Sequence, residues 1–280
     1  MRHIPLPIDE HSDAFDACIS NFQDPAVTQS FIQVKHHIIN AGNNFVERIN
    51  TNQLSLILPS PNINGVNMKQ SMMKLYTDKL SKKGQPGREY YDRWRALAPN
   101  NRCPLCSVKQ VTTLDHYLSK SDFPIFAIFP YNLVPACRDC NTEKLAHIAT
   151  QYAEETLHPY FDNIDQQQWL FATINETRPP SFTFHIVPSP DWSAEMSLRV
   201  SKHMEIFKLH DLFADHGAEE LSNISFRLNK LFNLGGAAAV EEHLYDCMES
   251  CQESNLNSWR TATYKAMFES TWFHSNGFQP

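Results

Sequence analysis

Two Cys-x-x-Cys pairs, Cys103/Cys106 and Cys137/Cys140, constrain this chain more than any other feature of it. Each pair places two soft donors on one backbone knuckle, and two knuckles together make a tetrahedral sulfur set that selects Zn²⁺. A shell closed by four thiolates has no position for water, so the expected zinc is structural. Its apparent binding energy is on the order of 10–16 kcal/mol and is coupled to folding. The chain must therefore bring residues 103–106 and 137–140 to one point. The seven cysteines are an odd number, which fits a reducing compartment better than a disulfide framework. Cys247 and Cys251 have helical i, i+4 spacing but no second pair, and Cys18 has no partner; all three read as ordinary thiols.

The segment between the pairs carries the chemistry. Gln110–Leu114 reads as a strand running into Asp115 and His116, Asn132-Leu-Val as a second short strand, and Cys137–Lys144 as the start of a helix. The order is strand, connection, strand, helix, with zinc clamping the two ends. His116 is a candidate general base, because a neutral imidazole is available at cellular pH. Asp115 is its neighbour, but adjacent strand residues point to opposite faces, so Asp115 should not orient the imidazole directly. Lys144, one turn after Asn141, is the first candidate for a phosphate contact, ahead of Arg138 and Lys120. His147 reads as a surface residue, and His36, His37, His203, His210 and His216 as structural ones.

This arrangement resembles the HNH, or ββα-metal, nucleases over residues 100–160. Four zinc-binding cysteines with Asn directly after the last are similar to the form found in phage junction-resolving endonucleases. The longer string from Leu114 to Pro124, followed by Asn132-Leu-Val-Pro135 and by His158-Pro-Tyr-Phe-Asp162, is more like the HNH proteins of bacterial anti-phage operons. The Septu-type systems, which pair an HNH protein with an ATPase, are the nearest named group. The resemblance implies that Asp115 and the amide oxygen of Asn141 ligate a catalytic Mg²⁺ or Mn²⁺, and that Asn132 holds the loop carrying His116. It also implies that His158 approaches the metal or the scissile phosphate, against the plainer reading of His158 as a hydrogen-bonded structural histidine. The third letter of the motif is Asn141 in place of His, a hard oxygen donor that favours Mg²⁺.

The formal net charge of −7 argues against a nucleic-acid partner until its distribution is read. Residues 69–109 hold ten basic and three acidic groups, with Tyr76, Tyr90, Tyr91 and Trp94 interleaved; this is either the footprint of a surface that follows a phosphate backbone or a solvated helix face over a core stripe. Residues 145–280 hold eight basic and eighteen acidic groups and read as a scaffold or a protein-docking region. Only 8 of the 280 residues are glycine, and neither a G-x-x-x-x-G-K-[ST] nor a G-x-G-x-x-G motif is present, so any ATP is expected on another chain. With no apolar run of membrane length and no apolar signal core, the expected location is cytoplasmic, with no membrane partner.

The expected fold class is α+β, mainly α-helical with an inserted zinc-stapled ββα-metal (HNH) module. Three regions follow: an N-terminal helical region with the basic block (1–98), the nuclease module (99–160) and a mainly helical acidic region (161–280). The N-terminal region should hold a helix over Ala26–Leu54 and a core stripe of Met68, Met72, Leu75 and Tyr76. The C-terminal region should hold a strand at 182–187 and helices over 193–209, 211–233, 237–253 and 257–271. The expected activity is metal-dependent cleavage of DNA, with an ATPase partner. Two rivals remain: a zinc-stapled adaptor or nucleic-acid-binding module without catalysis, and an RNase, since the site chemistry does not distinguish the sugar.

Overall fold

A computed structural model describes residues 1–144 and 147–279. The chain divides into two compact units, Met1–Asp162 and Asn163–Pro280.

The first unit opens with helices α1 (His11–Ile19) and α2 (Pro25–Asn50). Asp24 caps α2 by accepting from the Ala26 amide at 2.8 Å, and Pro25 occupies the first turn, where a missing N–H costs nothing. Phe31, Val34, Ile38, Gly42 and Phe45 fall on one buried face of α2 at helical spacing. Gly42 lies where that face meets Phe129; a Cβ there would stand 2.8 Å from the ring. A tight ribbon, β1 (Asn62–Ile63) and β2 (Val66–Asn67), turns through Asn64 and Gly65, both with positive φ. Helix α3 (Lys69–Lys74) continues in wider turns to Leu80, and α4 (Arg88–Arg95) follows.

The second half of this unit holds the antiparallel pair β3 (Thr113–His116) and β4 (Leu133–Ala136), then the short helix α5 (Arg138–Glu143). The register sets Asp115 opposite Val134 and His116 opposite Leu133. The sequence reading separates residues 1–98 from 99–160, and the structure corrects that division. Leu114, Ala127, Ile128 and Leu133 share one core with Phe15, Phe31, Met72 and Trp94. The N-terminal strand of chain is also laced to the later residues, with Arg2 N–H on Pro104 O at 2.8 Å and Ile4 N–H on Pro159 O at 3.0 Å. The physical reason is that a four-residue hairpin and a two-turn helix have too little apolar surface to form a core alone.

The second unit starts with the hairpin β5 (Leu170–Asn175) and β6 (Ser181–Ile186), of which the sequence reading anticipates only β6. Phe182 and Phe184 are buried while Thr183 and His185 face out, the period of a half-buried strand. Three helices follow: α6 (Ala194–Ile206), α7 (Leu209–Ser254) and α8 (Trp259–Glu269). The two helices expected either side of Gly235-Gly236 run on as α7, broken at Gly236, whose φ of 67° and ψ of −156° only glycine adopts readily. Gly217 lets α7 approach the hairpin, since a Cβ there would sit 3.0 Å from the Phe182 ring. Buried Asn257 ties the start of α8 to β5, accepting from the Trp169 amide at 2.8 Å and donating to Gln167 O at 2.9 Å. Among the described residues, no helix is long and apolar enough to cross a membrane.

Candidate metal centre and adjoining cleft

The four cysteines converge as their spacing requires. The Sγ atoms of Cys103, Cys106, Cys137 and Cys140 lie within 4.8 Å of one another, and all four residues are buried. A tetrahedral zinc with bonds of about 2.3 Å separates its sulfurs by roughly 3.8 Å, so the set fits such an ion. The first knuckle turns at Ser107, which has a positive φ, and the Lys109 amide donates to Cys106 Sγ at 3.4 Å. The second knuckle is the start of α5: Cys137 caps the helix, its Sγ accepting from the Cys140 amide at 3.4 Å. The cluster can therefore hold a structural metal such as zinc, pinning α5 to the segment before β3.

The other end of β3 opens on a cleft of about 290 Å³. Asp115, His116, Lys120, Asn141, Lys144 and His147 line it, with Met73 contributed from the N-terminal helices. The adjacent residues Asp115 and His116 thus border one cleft, and no hydrogen bond joins their side chains. His116 Nε2 donates to Ala127 O at 2.9 Å, which fixes the ring proton on that nitrogen and leaves the Nδ1 lone pair available. The Tyr76 ring meets the imidazole edge-on at 4.4 Å, and its hydroxyl donates to Leu114 O at 3.2 Å. Burial pulls the His116 pKa down to about 3, helped by the nearby ammonium groups of Lys120 and Lys144, so the ring is neutral at cellular pH.

Asn132, fully buried, builds the wall that holds this ring. Its Oδ1 accepts from the Leu118 amide at 2.6 Å, and its Nδ2 donates to Leu118 O at 3.0 Å and Phe126 O at 3.1 Å. Those bonds close the loop between β3 and β4 and set Ala127, the acceptor for His116. Asn141 follows the last cysteine on α5 and faces the same cleft.

Lys144 ends α5 buried. Its Nζ lies 3.1 Å from Asp115 Oδ2, donates to His116 O at 2.9 Å and sits 4.7 Å from the Tyr117 ring centre. Burial raises the Asp115 pKa and lowers that of Lys144, and in each case the partner's opposite charge works against the shift. Lys120 reaches the cleft across the Tyr76 face, its Nζ 4.6 Å from the ring centre. The charged side chains lining the cleft are thus one carboxylate and two ammonium groups, a positive surplus in a chain of net charge −7. A carboxylate and an amide oxygen on one cleft fit a hard cation such as Mg²⁺, which keeps several waters and needs few protein ligands. Asp115 is, however, already engaged by Lys144.

Three expectations need correction. His158 does not face the cleft: its Nε2 donates to Tyr131 O at 3.0 Å and its Nδ1 accepts from the Tyr160 amide at 3.3 Å, so both ring nitrogens serve the backbone. The basic block is not an aromatic-studded surface. Tyr76, Tyr91 and Trp94 are core residues, and Arg88, Arg93, Arg95 and Lys109 pair with Asp92, Asp9, Glu89 and Asp139. His147, read as a surface residue, is half-buried at the rim of the cleft, its Nε2 donating to Glu154 O at 2.7 Å. Sequence reasoning also missed Met73 and Tyr76 as parts of the site. Tyr76 belongs to the apolar helical stripe and so signals core, and Met73 lies beside that stripe; only the packing of this helix under β3 brings Met73 to the cleft and Tyr76 against His116.

No family model matches the chain, and no solved structure matches it. It is similar to Protein ea31 of Escherichia phage lambda, with 24% identity over 293 aligned residues that span 96% of this chain and 98% of that protein, so the likeness runs through both units.

Proposed function

We propose that this chain is a metal-dependent endonuclease of the HNH, or ββα-metal, type that hydrolyses phosphodiester bonds of DNA. The observation that carries the reading is the shared cleft: Asp115, His116 and Asn141 border one space whose charged lining favours an anion. In this reading His116 Nδ1 takes a proton from the attacking water, since Nε2 is committed to Ala127 O. Asn132 keeps that ring in place through the 117–127 loop. Asp115 and Asn141 would hold Mg²⁺ or Mn²⁺, which supplies charge neutralisation at the phosphate and the leaving oxygen. Lys120 and Lys144 would face the phosphate oxygens. The four-cysteine centre keeps α5 in register with β3 and takes no part in the chemistry.

The test is plasmid nicking in Mg²⁺ by the purified zinc-loaded protein. His116→Ala should lose at least ~10²-fold in rate, the usual weight of a general base, with zinc content and far-ultraviolet dichroism unchanged. A variant that nicks as fast as wild type overturns the assignment. A second reading, a zinc-stapled nucleic-acid-binding or adaptor module without catalysis, is favoured by the ion pair that already occupies Asp115. Binding of DNA without metal-dependent cutting would select it. Matched RNA in the same digestion tests the RNase alternative. The defence role and the ATPase partner rest on the resemblance of the 114–124 and 132–135 segments; co-purification of the chain with an ATPase is the check.

A further inference from the structure

The Asp115–Lys144 pair makes a demand that the proposed reaction does not by itself explain. Both side chains are nearly inaccessible, at 11% and 9% exposure. Lys144 Nζ is held by Asp115 Oδ2 at 3.1 Å and His116 O at 2.9 Å, against the Tyr117 ring. Two cations sharing one buried carboxylate repel each other strongly, because little water intervenes. A divalent ion bound at Asp115 and Asn141 therefore acts against the ammonium in its present position. Lys144 caps the C-terminal end of α5 and lines the cleft, so rotation about its four-carbon stem carries Nζ along the cleft wall. Lys120, seated across Tyr76, stays as the second cation.

We propose that Lys144 is a built-in counter-ion of Asp115 that competes with the divalent metal for this carboxylate, so that metal entry and release of Lys144 towards the substrate phosphate are one coupled event. This rests on the nuclease reading above. The coupling is reciprocal: whatever loosens Lys144 tightens metal binding, and the metal loosens Lys144 by the same factor. Before metal arrives, the ammonium occupies Asp115 Oδ2 and covers the backbone carbonyl of the catalytic histidine. Lys144 is thus a positioning residue first and a phosphate contact second.

Two measurements on the full-length, zinc-loaded protein test this. Lysine acetylation followed by mass spectrometry, with and without Mg²⁺, reads the wild-type chain directly. Labelling of Lys144 should rise about fivefold or more, in line with ordinary coupling factors, while exposed Lys82 is unchanged. Mn²⁺ binding followed by electron paramagnetic resonance reads the competition from the metal side. Lys144→Gln should bind Mn²⁺ about tenfold more tightly than wild type. Unchanged or reduced Lys144 labelling overturns the proposal even if the glutamine variant does not fold, and so does equal or weaker Mn²⁺ affinity in a folded variant. If wild type cuts DNA with Mg²⁺ while either of those results is found, only the competition fails. If wild type neither binds Mn²⁺ nor cuts, the nuclease reading fails with it.

Discussion

The two ends of β3–β4–α5 bury polar groups in opposite ways. At one end four thiols of one kind gather with no cation of their own among them. At the other a carboxylate is matched by a lysine from the same chain. The sulfur end can take an ion from solution such as zinc, whereas the carboxylate end finds its cation within the chain. Each end also carries a Lys–Asp pair, and the contrast is one of burial. Lys109–Asp139 is well exposed, at 40% and 57%, while Lys144–Asp115 is covered. The same residue types therefore do different work according to the water around them.

The largest expected effect is at the sulfur end. Cys140→Ser leaves three thiolates and should remove most of a binding free energy on the order of 10 kcal/mol, so the first unit loses its fold. Zinc content together with near-ultraviolet dichroism checks this, and a folded, zinc-free variant would break the contrast. Next comes the buried pair. Asp115→Leu alone or Lys144→Met alone should cost about 3–5 kcal/mol in urea unfolding, since each strands a buried charge, whereas the double variant should recover most of that loss. Strict additivity of the two would show that the pair is not coupled.

A smaller effect comes from a buried histidine away from both ends. His11 lies against Phe129 with both ring nitrogens unpartnered, and burial takes its pKa from 6.5 to about 3. The folded state then refuses a proton that the unfolded chain accepts below pH 6.5. Its stabilising contribution is complete above that pH and falls as pH drops towards 3. Between pH 6.5 and pH 5 the loss should be about 1.6 kcal/mol. The unfolding free energy from urea titrations across that window should lose this pH dependence in His11→Leu. The smallest effect is at the exposed pair: Lys109→Ala should change stability by less than about 1 kcal/mol, and by less again in high salt. A cost comparable to that of Lys144→Met would erase the distinction drawn between the two pairs.

Parts of this molecule were open to reading from residue order because their signals are local. The sulfur cluster follows from two four-residue motifs, and β3, β4 and the start of α5 from strand-like runs and a helix-starting cysteine. The stripe on α2 and the break at Gly236 follow from periodicity and from glycine. The cleft was legible only in its motif residues. Lys120, Tyr76 and His147 have no diagnostic spacing, and His158 carries a suggestive neighbourhood but spends both ring nitrogens on the backbone. The basic block shows the same limit. Charge counts along the chain do not reveal that Asp9 comes back to meet Arg93 at 2.6 Å, and they leave open whether Tyr76, Tyr91 and Trp94 face phosphate or, as they do, the core.

Residue order alone determined that four thiols must meet and that a histidine would lie beside an acid on a strand, because covalent spacing enforces both. Tertiary structure decided the rest: that the first hundred residues and the hairpin share one core, and that Lys144 closes on Asp115. The reason is physical. Which cation a buried carboxylate finds depends on which distant segments exclude water around it, and that is settled by packing between elements and not by spacing within one.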